Sequence, residues 1–207
     1  MSYGYDFAER LAFSKARRQD SDLETLRAMF PRAAGVTKTD VAEDRAGTDY
    51  VIELRRGARL KVDAKARDKG CRRFWKAGPE VALETWSVRP GGKYGQRGVT
   101  GWALDEAKEI DLILFTFDQA DHQFAYVRPL PLLRETFRRN YESWGSQYKK
   151  DIQDSRSWES ECIFVPLVVL DQAIEAMSRR RSALCRGSGL MTHSTPIPRC
   201  SRQGTRR

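Results

Sequence analysis

Apolar residues recur at helical spacing across Asp22–Phe30, with Leu23, Leu26 and Phe30 on one stripe. From Val36 onward the pattern changes to short alternating runs. Ser21 with Glu24 three residues later is a capping-box pattern, and Pro31 and Gly35 stop the helix. An earlier amphipathic piece begins with Phe7, Leu11 and Phe13. Extended segments are predicted at Val36–Glu43, Asp49–Arg55 and Arg59–Ala66, the last two joined through a Gly57 turn into a β-hairpin. Val81–Val88 is a fourth, followed by the Gly-rich loop Pro90–Gly101 and a short helix around Ala103–Lys108. Strands at Asp111–Phe117 and Gln123–Arg128 form a second hairpin through Asp118–His122. Pro129 and Pro131 open a helix running to about Tyr141. A polar stretch, Gly145–Trp158, leads to a strand at Glu161–Val165 and a last helix, Pro166–Arg180.

Beyond Ser182 the chain is rich in Gly, Ser, Thr, Pro and Arg without periodic apolar positions, which predicts disorder. The element order predicts an α/β fold of the α+β type: a mixed sheet in one domain over residues 1–181, followed by a basic tail over 182–207. Met1–Arg18 has no apolar core of the signal-peptide kind, and the longest apolar runs are too short to cross a bilayer, so a cytoplasmic protein is expected.

Charge changes the picture locally rather than globally. Of the formal +9, eight arginines lie between Arg179 and Arg207, and without them 29 basic residues face 28 acidic ones. Between Arg55 and Lys76, however, ten basic residues accompany only Asp63 and Asp68. Such a cluster suits a polyanionic partner or, equally, a solvated hairpin edge guarded by cations. The four cysteines are widely spaced with no CxxC pair, which argues against a disulfide framework and a structural zinc site. His122 falls in a polar turn and His193 in the tail, so a histidine-rich metal site is not expected. Phosphate-loop, nucleophile-elbow, HExxH and Rossmann patterns are absent.

Candidate chemistry concentrates in Arg59–Ala66. Side chains alternate along a strand, so Leu60, Val62 and Ala64 face a core and Lys61, Asp63 and Lys65 share the other face. Gly47-Thr48-Asp49 starts the partner strand with a second carboxylate. Two carboxylates at about 5 Å repel by roughly 3 kcal/mol at an effective dielectric near 20. A proton, an intervening lysine or a divalent cation has to offset that. Hard oxygen donors suit Mg²⁺ or Mn²⁺.

Asp49, the hairpin and then Asp63-Ala64-Lys65 resemble the PD-(D/E)XK superfamily of restriction endonucleases, phage exonucleases and Holliday junction resolvases. Thr48 stands where the name-giving proline would be. The resemblance implies a restriction-endonuclease-like αβββαβ core, covering residues 22 to about 128, with added strands and C-terminal helices. It implies that Asp49 and Asp63 ligate the metal with the Ala64 carbonyl, and that Lys65 acts on the attacking water. Many members add a glutamate from the first helix, for which Glu24 is the candidate and Glu9 the runner-up. Lys61, Arg67, Lys69, Arg72, Arg73 and Lys108 are the candidate nucleic-acid contacts, although for Lys108 a surface ion pair with Asp105 is the plainer expectation. Glu84 sits on a strand of ambiguous face, and Trp86 and Trp102 read as packing residues.

The function expected is Mg²⁺- or Mn²⁺-dependent hydrolysis of DNA by a structure-selective or weakly specific, phage-like endonuclease, with a homodimer as one arrangement. RNA is left open as a substrate. The alternative is a nuclease-fold module that binds nucleic acid or protein without cutting.

Overall fold

The computed structural model describes residues 21–45, 47–67, 78–118, 123–155 and 157–187. A helix through 21–29 (α1) precedes β1 (Ala33–Lys38), a short α2 (Val41–Arg45) and the hairpin β2 (Tyr50–Leu54) and β3 (Arg59–Arg67). β4 (Glu80–Val88) and the brief β5 (Val99–Thr100) follow, then β6 (Leu112–Asp118), β7 (Gln123–Pro129) and α3 (Leu130–Gln147). β8 (Lys149–Asp154), β9 (Glu159–Pro166) and α4 (Leu167–Gly187) complete the described chain. The fold is mixed α and β.

Two sheets form, in the orders β1-β2-β3-β6-β7 and β5-β4-β9-β8. In the first, only the β3–β6 pair is parallel, and Asp63, Lys65 and Arg67 stand opposite Ile113, Phe115 and Phe117. β6 reads as a continuous apolar run because both of its faces are covered. Leu114 packs with Leu26, Val36, Tyr50, Ile52, Val62 and Ala64 on the α1 side. Ile113, Phe115 and Phe117 join Val81, Leu83, Leu133, Phe137, Ile163 and Leu170 on the side of the second sheet, α3 and α4. The parity of β3 follows: Val62 and Ala64 are buried toward α1, which leaves Asp63, Lys65 and Arg67 between the sheets.

Several elements depart from the pattern along the chain. The strand expected to reach Glu43 ends at Lys38, because the Asp40 Oδ1 accepts hydrogen bonds from the Ala42 and Glu43 N–H groups and caps α2. The helix expected at Ala103–Lys108 is a series of turns. Leu104 and Asp105 both donate to the Gly101 carbonyl, and the Trp102 and Lys108 carbonyls accept from the Arg134 guanidinium instead of from helical N–H groups. α3 runs past Tyr141 to Gln147 because Trp144 continues the buried stripe of Phe137, with ring centroids 6.1 Å apart. β8 was not foreseen. It is an edge strand whose apolar Ile152 is 43% exposed, so it carries no hydrophobic alternation and is guarded by charge. α4 continues through Gly187, past the Arg180 end predicted for this helix, because Ala183 and Leu184 favour helix and nothing breaks it sooner. No helix among the described residues is long and apolar enough to cross a membrane. The Phe7–Phe13 segment, the 119–122 turn and the tail beyond 187 lie outside the described residues.

Candidate active site

Gly47 adopts φ +90°, a conformation that glycine takes at little cost, and its N–H donates to the Asp44 carbonyl at the end of α2. Thr48 donates to the Glu43 carbonyl, and the Thr39 hydroxyl donates to the Thr48 and Asp49 carbonyls. These bonds fix the entry into β2, and the Asp49 N–H then donates to the Val62 carbonyl at 2.9 Å. The Asp49 Oδ2 accepts the Ala64 N–H at 2.6 Å. A residue in an extended strand turns its N–H and C=O to the same side of the strand. The Ala64 carbonyl is therefore directed to the Asp49 side of β3 and away from β6.

Asp63 is 1% exposed. Its Oδ1 lies 2.7 Å from the Lys65 Nζ and its Oδ2 accepts from the Lys108 Nζ at 2.5 Å. Burial pushes the Asp63 carboxyl upward, but the two ammonium groups outweigh it and hold the carboxyl below its ordinary value. Burial opposes the charge on Lys65 in turn, and the Asp63 carboxylate overcomes that, raising the lysine. The Lys65 ammonium also sits 5.9 Å from the centre of the Trp102 ring and feels the negative charge of Glu84. Asp49 behaves differently. Burial first, and then the adjacent Asp63, push it up to about 6 against the lowering effects of the Ala64 N–H and Lys65. The repulsion inherent in the carboxylate pair is thus offset by lysines and by a readily accepted proton.

Asp49, Asp63 and Lys65 therefore converge. Lys108 joins them rather than pairing with Asp105: its side chain is 15% exposed and its stem crosses Gly47, where a Cβ would come 2.5 Å from the Lys108 Cε. Glu84 also turns toward the site, its Oε2 accepting from the Ser87 hydroxyl and the Trp102 N–H. Glu24 does not. It is exposed on α1, whose buried Leu26 packs on the Val62–Ala64 face, so the sheet separates it from Asp63. Arg67 is half-buried, its guanidinium 4.8 Å from the centre of the Phe164 ring and its Nε buried without a hydrogen-bond partner among the described residues. Lys61 is exposed and faces Glu109 at 3.5 Å. Lys69, Arg72, Arg73, Glu9, His122 and His193 lie outside the described residues.

Beside Lys108 opens a groove of about 590 Å³, shared by Lys61, Arg134 and Arg138 with Glu106, Glu109, Asp111 and Glu135. Arg134 is 7% exposed, and burial depresses its pKa. Sequence reasoning missed Arg134 because its role depends on α3 packing over the 102–108 turns. Nothing local marked Gly47 as the floor beneath Lys108.

The donor set fits a hard divalent ion in kind: two carboxylates pressed together and a carbonyl directed to the same side. Among the described residues, no group of three or more His, Cys, Asp or Glu side chains is placed to hold a metal. Mg²⁺ keeps several waters and is commonly bound through one or two carboxylates, so a pair is sufficient. Searches with family models, curated proteins and solved structures return no match to this chain.

Proposed function

We propose that this chain is a divalent-metal-dependent nuclease that hydrolyses DNA phosphodiester bonds. The observation that carries the reading is the convergence of Asp49, Asp63 and Lys65 at one end of the hairpin, with the Lys65 Nζ 2.7 Å from Asp63. Asp49, Asp63 and the Ala64 carbonyl would hold Mg²⁺ or Mn²⁺, which supplies Lewis acidity and lowers the pKa of a bound water. Lys65, fixed between Asp63 and the Trp102 ring, orients the attacking water or balances charge on the phosphate. Glu84 and Trp102 hold the lysine in place. The order α1, β1–β3 and a parallel β6 beside β3 supports a restriction-endonuclease-like core, although among the described residues of the crossover β4, β5 and the 102–108 turns stand where that core would place a helix.

One observation favours a second reading, a module of the same shape that binds without cutting. Both Asp63 oxygens already have lysine partners, and the groove's Lys61 and Arg138 pair with Glu109 and Glu106. Cleavage of linear, branched and single-stranded DNA, and of RNA, with Mg²⁺ or with EDTA separates the two. The nuclease requires Mg²⁺-dependent products that disappear in Asp63→Ala and Lys65→Ala. Equal product in all three proteins, or none from the wild type, refutes it.

A further inference from the structure

A carboxylate whose two oxygens are both hydrogen-bonded to ammonium groups has no open site for a cation of its own. The two ammonium groups on Asp63 are held unequally. Lys65 projects from β3, whose backbone pairs it with Phe115 of β6, rests against the Trp102 ring and feels Glu84 as well as Asp63. Lys108 leaves an irregular turn, and Asp63 is its only ion-pair partner among the described residues. Its stem passes over Gly47, where the missing side chain leaves a lane. Lys108 also lines the groove shared with Arg134, whose buried Nη2 has no acceptor among the described residues.

We propose that Lys108 is an exchangeable cation. It occupies the Asp63 oxygen in the metal-free protein, leaves when a divalent ion binds, and swings into the groove, where with Arg134 it forms a phosphate-contacting subsite. The inference rests on the metal reading above and adds to it a named competitor. Lys108 is a positioning residue in this scheme: it keeps the paired carboxylates neutralised until the ion arrives, and only then becomes available to the anionic substrate. Electrostatics favours the exchange, because a divalent ion placed between two carboxylates repels any ammonium left on the same oxygen.

The test uses the full chain and Mn²⁺ as the probe. Lysine acylation followed by mass spectrometry is run with and without saturating Mn²⁺ on the wild type and on Asp63→Asn. Calorimetric Mn²⁺ titrations are run on the wild type and on Lys108→Met. The expected result is a several-fold rise in Lys108 labelling with Mn²⁺ in the wild type alone, with no rise at Lys65. Mn²⁺ binding should tighten by about tenfold in Lys108→Met, the order set by a charge-assisted hydrogen bond that no longer has to be broken. Mn²⁺ binding with unchanged Lys108 labelling overturns the exchange and leaves the metal reading standing. Absence of any Mn²⁺ binding to the wild type removes both. Should Lys108→Met fail to fold, the wild-type labelling decides by itself.

Discussion

Two of the buried carboxylates among the described residues, Glu161 in one sheet and Asp63 in the other, sit among cations and do different things. Glu161 on β9 is 5% exposed and accepts the Thr85 hydroxyl at 2.8 Å, with Lys150 at 3.1 Å and Arg89 at 3.7 Å. Asp63 on β3 is still more buried and has two lysines, yet a second carboxylate, Asp49, is pressed against it and pushed up to about 6. The Glu161 network is a satisfied structural joint between β4, β9 and the edge strand β8. The Asp63 cluster keeps an unfavourable contact that a ligand is able to relieve. Such residual strain in charge, rather than burial or ion pairing as such, distinguishes a candidate site from a structural network.

The sharpest break in the comparison is catalytic. Asp63→Ala and Lys65→Ala should each lower Mg²⁺-dependent cleavage by at least ~100-fold, while Glu161→Gln should leave it within about twofold, read as initial rates on a DNA substrate. In the metal-free protein Glu161 shows itself in stability rather than in cleavage. Glu161→Ala removes the partner of Lys150 and Arg89 and leaves the Thr85 hydroxyl only its 3.2 Å bond to the residue 161 carbonyl, and urea unfolding should show a loss of about 1–3 kcal/mol with no dependence on Mg²⁺.

Asp49 provides a pH signature of its own. Its folded pKa lies above the ordinary carboxylate value of 3.8, so the folded state binds the proton more tightly than the unfolded state. That contribution to stability is fully present below about pH 4 and is lost as pH rises through about 6. Asp49→Asn removes the ionisation penalty. The variant should therefore match the wild type near pH 4 and exceed it by about 1–3 kcal/mol at pH 8 without metal, measured by thermal melts across that window. Saturating Mg²⁺ should raise the wild-type melting temperature at pH 8 and leave Asp49→Asn nearly unmoved, reversing part of the variant's advantage. The smallest effect expected is for Gly47→Ala. A positive φ and the crossing Lys108 stem together should cost about 1–2 kcal/mol by denaturant titration.

Period-two alternation in Arg59–Ala66, with Gly57 to turn the chain, was enough to set Asp63 and Lys65 on one face and Val62 and Ala64 on the other, and to bring Asp49 alongside at the start of β2. That information is local: a strand has only two faces, and a hairpin of this length admits few registers. Asp40 with Glu43 three residues on likewise carried the signal for α2, although the apolar alternation before it masked that cue.

The partners of the site were decided elsewhere. Lys108 reaches Asp63 across 45 residues of chain, Glu84 comes from the other sheet, and Arg134 comes from α3. The same packing turned Glu24 outward and drew Arg67 beneath Phe164. Each of these placements follows from the parallel pairing of β3 with β6 and from the face of the sheet that each helix covers. No short stretch of sequence encodes them, because they depend on where distant apolar surfaces find one another. Local alternation placed the acids and the first lysine; the raised pKa of Asp49 and the second lysine on Asp63 exist only once the two sheets have closed over them.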